Sequence, residues 1–418
     1  MDKYISFLKK ALMDKKIEYE FLYLKLNSYI DLYFNELYLK DLYFLEKADF
    51  TSLSCLYRYE NNVFNYKDHL HFNIPDNSQI VIFINGYHYS SVNLDINVKL
   101  SIFNSKSEYF DKILYKINSL YNLYNLNFFS ILNYLLYKDG VYIYIPPGLK
   151  IYRPLYVLNF FCNFNSDSIS NPRSYIYVDK NSEISIFEYY LNDNKKMFVN
   201  NNSFIHLNEG SVLNYCGLND FNNASCISKS LLVKQEKYSV LNTDFFSFRE
   251  CISKNNFDFY LLGDNSKLNI NISKFLYSAS YNDTNMNVYS ECCNVVCNVF
   301  FRSILKDDAK CIFKCNIDIS SGLSKVVTNL RCDSLLLSSR SSSTMMPELS
   351  IKSSDVKCFH GATIGFVDDN VVYYMRTRGL SYKECLSIII NSFLFIFLDK
   401  KSNFLSVIND VILDKKFV

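Results

Sequence analysis

Asp179-Lys-Asn-Ser182, Asn208-Glu-Gly-Ser211, Glu236-Lys-Tyr-Ser239 and Asp264-Asn-Ser266 are four versions of one turn. Centred on Asn181, Glu209, Lys237 and Asn265, they recur at intervals of 28 residues. Further turn signals, Asp307-Asp308 and Ser321-Gly322, follow at about half that spacing. A fixed period of about 20 to 50 residues marks stacked repeats, in which each unit buries its apolar face only against its neighbours. The runs between the turns are short and strand-like, with no helical segment among them. That favours a parallel β-helix or a stacked β-sandwich over a βαβ fold.

Working outward, the strand region opens at Gly140-Val-Tyr-Ile-Tyr-Ile-Pro-Pro-Gly148. Upstream, Ile5, Leu8 and Leu12, then Phe21, Leu24, Tyr29, Leu32 and Phe34, fall at helical spacing among Lys and Glu. Gln79-Ile-Val-Ile-Phe-Ile84 before Asn85-Gly86 reads as a strand entering a tight hairpin, since Asn-Gly tolerates positive φ. Downstream, Asp368 and Asp369 suit a helix start and Gly379 its end. Ser381-Tyr-Lys-Glu384 is a capping box opening a second helix, and Phe404 to Leu413 suits a third. The expectation is a mainly β chain in three parts. These are a mostly helical domain over 1–138 with a hairpin near 79–90, a β-helix core over 139–362, and a helical domain over 363–418.

The chain has 418 residues, 49% of them hydrophobic, enough for a large core divided into more than one unit. Lys plus Arg (44) nearly balances Asp plus Glu (42), so no net field favours nucleic acid or an anionic membrane surface. The longest apolar run, Leu386 to Leu398, contains Ser387, Asn391 and Ser392 and is too short to span a bilayer. Thirteen cysteines, an odd number, point to reduced thiols in a cytosol-like compartment. The opening residues, Met1-Asp2-Lys3-Tyr4-Ile5, show no export or import pattern. A cytoplasmic protein is expected.

In Val356-Lys-Cys-Phe-His360 the alternation puts Val356, Cys358 and His360 on one strand face, with Gly361-Ala362-Thr363 read as the strand's end. A thiolate and an imidazole at i and i+2 can supply half of a metal or Fe-S site, the rest coming from elsewhere. Equally, Cys358 reads as a small buried hydrophobe and His360 as a satisfied polar group. Cys292, Cys293, Cys297, Cys311 and Cys315 lack Cys-x-x-Cys spacing and read as core thiols; Cys332, beside Asp333, reads as the end of a buried strand. His69 and His71 form only a weak His-x-His signal. No phosphate loop, Gly-x-Ser-x-Gly elbow or His-Glu-x-x-His occurs, so no self-contained enzyme is expected. A β-helix enzyme acting on polysaccharide is the alternative from another class.

Several segments together resemble the SufB/SufD family of iron-sulfur cluster assembly scaffolds. They are Phe50-Thr-Ser-Leu53, Ile80-Val-Ile-Phe-Ile-Asn-Gly86, Asp139 to Gly148, Pro154-Leu155, Pro172-Arg173, Pro347-Glu-Leu349, Asp355 to Gly365 and Tyr374 to Ser381. The resemblance is closest to the SufD branch, because SufB has His-Glu-Ala-Thr where this chain has His360-Gly361-Ala362-Thr363. It implies a right-handed parallel β-helix, a heterodimer with SufB through the β-helix ends, and docking of the SufC ATPase on the C-terminal helices. Those helices carry Tyr374, Arg376, Arg378, Gly379, Ser381 and Glu384. It implies that ATPase activity resides in SufC. No cofactor would be held stably by this chain alone, but an Fe-S cluster would form transiently at the SufB interface, with His360 as a metal-site candidate and Cys358 beside it. A homodimer of the isolated chain, and a bacterial cytoplasm rather than a plastid stroma, are further expectations. Cys332-Asp333-Ser334 is similar to a SufB segment, which leaves open a SufB-like cluster-handling thiol at Cys332.

Overall fold

The structure, a computed structural model, describes residues 54–55, 64–70, 72–102, 127–162, 168–192, 197–221, 225–248, 252–395 and 404. The helices expected over the first 47 residues and beyond Phe404 lie outside the described residues. The opening strands are β1 (Ser54–Cys55), β2 (Gln79–Ile84), β3 (Tyr87–Val92) and β4 (Lys99–Ile102), followed by helix α1 (Phe128–Leu136). Next come β5 (Val141–Ile145), β6 (Leu155–Phe161), β7 (Ser168–Ser170), β8 (Arg173–Val178), β9 (Glu183–Asn192), β10 (Met197–Leu207), β11 (Val212–Asp220) and β12 (Ser225–Gln235). The repeat continues through β13 (Val240–Phe248), β14 (Ile252–Leu261), β15 (Lys267–Leu276), β16 (Tyr281–Ser290), β17 (Val296–Leu305), β18 (Lys310–Ile319), β19 (Ser324–Leu336), β20 (Ser342–Ile351) and β21 (Asp355–Phe366). Helices α2 (Asp369–Thr377) and α3 (Tyr382–Phe395) follow.

From β8 onward successive strands alternate between two sheets, and from β10 to β19 each pairs in parallel with the strand two places before it and the strand two places after it. The result is a parallel β-helix of about 7 turns. The recurring turn is explained by backbone conformation. Asn181, Gly210, Tyr238, Asn265, Asn294 and Lys325 all have φ between 54° and 67°, so each coil reverses through a left-handed residue. The turns also stack: the amides of Asn181, Gly210 and Tyr238 donate to the carbonyls of Glu209, Lys237 and Asp264 in the next coil. Gly263 belongs to this stacking, because a Cβ there would lie 1.9 Å from the Lys237 amide nitrogen. The serine ending each turn, Ser182, Ser211, Ser239 or Ser266, is buried.

Between the sheets one apolar core runs from Val81 to Leu336. A second apolar layer covers the outer face of the β2–β6–β9 sheet, where Ile390, Leu394 and Phe404 pack over Tyr156, Phe187 and Phe246. Strands buried on both faces need no polar alternation, which is why β6 is buried at every position. On the same sheet Asn298, Asn269, Asn242 and Asn214 form an amide ladder, each side-chain amide donating to the one before it at 2.8–2.9 Å until Asn214 meets Ser185. The Asn85-Gly86 hairpin joins β2 to β3, and β2 extends the sheet by pairing in parallel with β6.

The expected break at Gly361-Ala362-Thr363 is absent. β21 continues to Phe366 because Gly361, Ala362 and Thr363 stay in ladder register with Arg331, Cys332 and Asp333. Neither Gly361 nor Gly365 has a left-handed φ; the ladder outweighs the local weakness of glycine in a strand. The helix signals beyond it hold. Asp368 caps α2 by accepting from the Asn370 amide, and Gly379 follows with φ +95°. Ser381 and Glu384 make both bonds of a capping box. Among the described residues, no helix is long and apolar enough to cross a membrane.

Candidate functional site

Each sheet ends at its C-terminal side in a strand paired on one side only among the described residues: β20 on β18, and β21 on β19. The core columns run straight out to these edges. Leu305 pairs with Leu336 and Leu336 with Phe366; Phe313 pairs with Met345, Cys315 with Pro347 and Ile317 with Leu349. Leu336 is buried, yet Phe366 in the same column is 63% exposed. Met345, Pro347 and Leu349 are half-buried. Solenoids ordinarily finish in a repeat with a polar outer face. Among the described residues, this one finishes on its own core.

The two edges differ. β20 carries Pro347, a residue without an amide donor that suits an edge strand and blunts it against pairing. β21 has no proline and offers a 12-residue edge. Phe359, 62% exposed, stands in register with Asn329, which pairs with Asn298 in the amide-ladder column. A column of asparagines thus ends in a phenylalanine. Ile364, Ile351 and Met346 are exposed apolar residues on the same two strands.

His360 sits in this face. Its column reads Val299, Leu330, His360, so an imidazole takes the place that a buried aliphatic side chain holds one coil earlier. His360 is exposed, while Cys358, two residues before it, is half-buried and packed against the core. Cys332 lies on β19 opposite Ala362, the position two beyond His360, so the three predicted residues share one face of neighbouring strands. Their settings are unequal. Cys332 is fully buried, and burial together with the Asp333 carboxylate pushes its thiol up to about 12. A reactive thiol requires the reverse, an exposed site with a depressed pKa. Cys297 and Cys315 are buried, and burial likewise raises both thiols, Cys297 to about 12. Among the described residues no three His, Cys, Asp or Glu side chains are arranged to hold a metal ion, so His360 and Cys358 offer at most part of a ligand set.

The predicted docking residues lie on α2, on α3 and in the turn between them. Tyr374, Arg376, Arg378, Gly379, Ser381 and Glu384 are all exposed. Arg378 stacks 5.1 Å over the Tyr374 ring and donates to its hydroxyl at 3.1 Å. Hydrogen bonds from Ser381 hold the Glu384 carboxyl below its usual value. Val371, Tyr373, Tyr382 and Ile388 add exposed apolar surface to these helices. Sequence reasoning missed the edge residues Phe359, Ile364 and Phe366. For Phe359 the signal was present, an aromatic interrupting a polar column whose members recur every 27 to 31 residues.

Residues 160–393 match the family model described as SUF system FeS cluster assembly, SufBD core domain. The iron-sulfur cluster assembly protein SufD of Plasmodium falciparum is 28% identical over 255 residues, covering 56% of this chain and 16% of that protein. Protein ABCI7, chloroplastic, of Arabidopsis thaliana is 25% identical over 280 residues, covering 61% of this chain and 55% of that protein. The SufD protein of Escherichia coli is 28% identical over 144 residues, 34% of each chain. The chain therefore spans less than two thirds of the length of each of these relatives.

Proposed function

The chain belongs to the SufBD core-domain family of SUF-system iron-sulfur cluster assembly proteins, and on that premise we propose that it is a SufD-type scaffold subunit without catalytic activity of its own. Its uncapped end receives SufB to form a heterodimer. Helices α2 and α3 dock the SufC ATPase, which supplies the ATP hydrolysis. The nascent Fe-S cluster is cargo at the SufB-facing end, held only transiently, with the His360 imidazole as one ligand and the Cys358 thiol close by. The isolated chain, lacking SufB, pairs its open end with a second copy. The working compartment is the cytoplasm.

The observation that carries this reading is the open final coil. Its core columns emerge into solvent, its β21 edge is unblunted, and the polar interruption in the apolar column is His360. Large exposed apolar patches mark interaction surfaces, and an exposed strand edge accepts another chain by main-chain pairing. An imidazole is a common metal ligand, which supports ligation across the join. Family membership displaces the polysaccharide-acting alternative. The SufB-like reading of Cys332 is disfavoured by the burial that keeps its thiol protonated.

Anaerobic reconstitution with SufB and SufC tests the proposal. The three proteins are expected to co-purify, and His360→Ala is expected to lower bound iron and sulfide while leaving the complex assembled. A chain that stays alone with both partners present overturns the scaffold reading. An unchanged cluster yield removes His360 from the site.

A further inference from the structure

One register column on the outer face of the β21 sheet links helix α3 to the open edge. It runs Ser273 on β15, Arg302 on β17, Asp333 on β19 and Thr363 on β21. On the helix, Ser273 Oγ donates to the Leu394 carbonyl at 2.9 Å. Arg302 Nη1 donates to the Phe393 carbonyl, and its guanidinium lies 4.8 Å from the centre of the Phe393 ring. Arg302 thus grips α3 from the sheet through a backbone carbonyl and an aromatic ring.

The same guanidinium reaches the other way. Arg302 Nη2 is 3.4 Å from Asp333 Oδ2, and both side chains are buried. Asp333 Oδ2 also accepts from Arg331 Nε at 2.9 Å, and Asp333 Oδ1 accepts from Thr363 Oγ1 at 2.8 Å. Thr363 lies three residues beyond His360 on the same strand. A buried charge that loses one partner bears an uncompensated desolvation cost, so this pair resists being opened from either side.

We infer that Arg302 and Asp333 are positioning residues that couple the seating of α3 to the conformation of β21, so that lifting the end of α3 loosens the strand that carries His360. For its consequence this rests on the proposed function: a partner pulling on α3 would alter the face offered to SufB. The linkage itself is a property of the isolated chain, so its test is separate from co-purification.

Hydrogen–deuterium exchange on the full chain without partners reads it. Thr363→Val removes the edge hydroxyl and is expected to speed exchange by ~3-fold or more, both in 355–366 and in the last turn of α3. Thr363→Ser, which keeps the hydroxyl, is expected to leave α3 at the wild-type rate. Arg302→Met should loosen both segments, and the double variant Arg302→Met/Thr363→Val should loosen them no further, as coupled sites are non-additive. Ser273→Ala, which frees the Leu394 carbonyl without touching Asp333, should loosen this part of α3 and, because coupling is reciprocal, speed exchange in 355–366 as well. If the effect of Thr363→Val stays within β21, or if Thr363→Ser disturbs α3 as much as valine does, the coupling is overturned. This arm decides the question even if Arg302→Met does not fold.

Discussion

The inner coils and the final coil use the same columns to opposite ends. On β17 and β19, Val299, Phe301, Leu330, Cys332 and Leu336 are sealed between neighbouring strands; on β21 their successors His360, Ala362 and Phe366 are exposed. Parallel pairing runs unbroken from β17 through β19 to β21. The difference is that another coil follows the inner ones and none among the described residues covers the last. A column position in a solenoid is therefore a stability position or a recognition position according to what stacks on it, not according to its residue type.

The sharpest way to break that comparison is to truncate one column at two heights. Leu330→Ala removes a fully buried side chain and is expected to cost about 2–5 kcal/mol, read as a lower urea midpoint. His360→Ala, one coil later in the same column, is expected to stay within about 0.5 kcal/mol. Equal losses would mean that the end is covered within the chain itself, and the open-end reading would fall.

A charge placed on the exposed end sharpens it next. Phe366→Asp should leave the urea midpoint of the isolated chain within the same about 0.5 kcal/mol. It should weaken SufB binding at least tenfold, about 1.4 kcal/mol, because the partner must then bury a carboxylate against its own apolar surface. Measured affinity that stays at the wild-type value would move the interface elsewhere.

Much of the fold was legible because its signal is conformational. A left-handed residue is needed once per coil at this corner, and Asn, Gly and polar residues recur there at the period of the stack. The capping box at Ser381 and Glu384 was legible for the same local reason. The end of β21 was misread, because glycine weakens a strand locally while the neighbouring strand's ladder keeps it extended. The open edge was not legible, since alternation tells which face a residue takes but not whether a further coil covers it. The Arg302–Asp333 link was hidden by about one coil of sequence separation. Cys358 and His360 were found as a pair, but their unequal exposure comes from stacking.

The smallest expected effect concerns the thiols, and it tests the same boundary chemically. Cys358 is half-buried on the last strand; Cys297, in its column two coils earlier, and Cys332 are buried. Iodoacetamide at pH 8 should modify Cys358 first and the two inner thiols only as fast as the protein opens, since the thiolate is the nucleophile and burial keeps both protonated. The same burial gives stability a pH dependence of known sign. In the unfolded chain a thiol ionises near about 8.5, whereas Cys297 and Cys332 hold their protons to about 12. Their contribution is complete below the unfolded value and is lost as pH rises through the folded one, because the folded state binds more protons across that interval. Cys297→Ala and Cys332→Ala should each flatten the alkaline decline in stability, whatever they do to its height at pH 7. If Cys332 instead reacts as fast as Cys358, the boundary between sealed and open coils lies one strand deeper than the exposed columns indicate, and a cluster-handling thiol at Cys332 becomes the better reading.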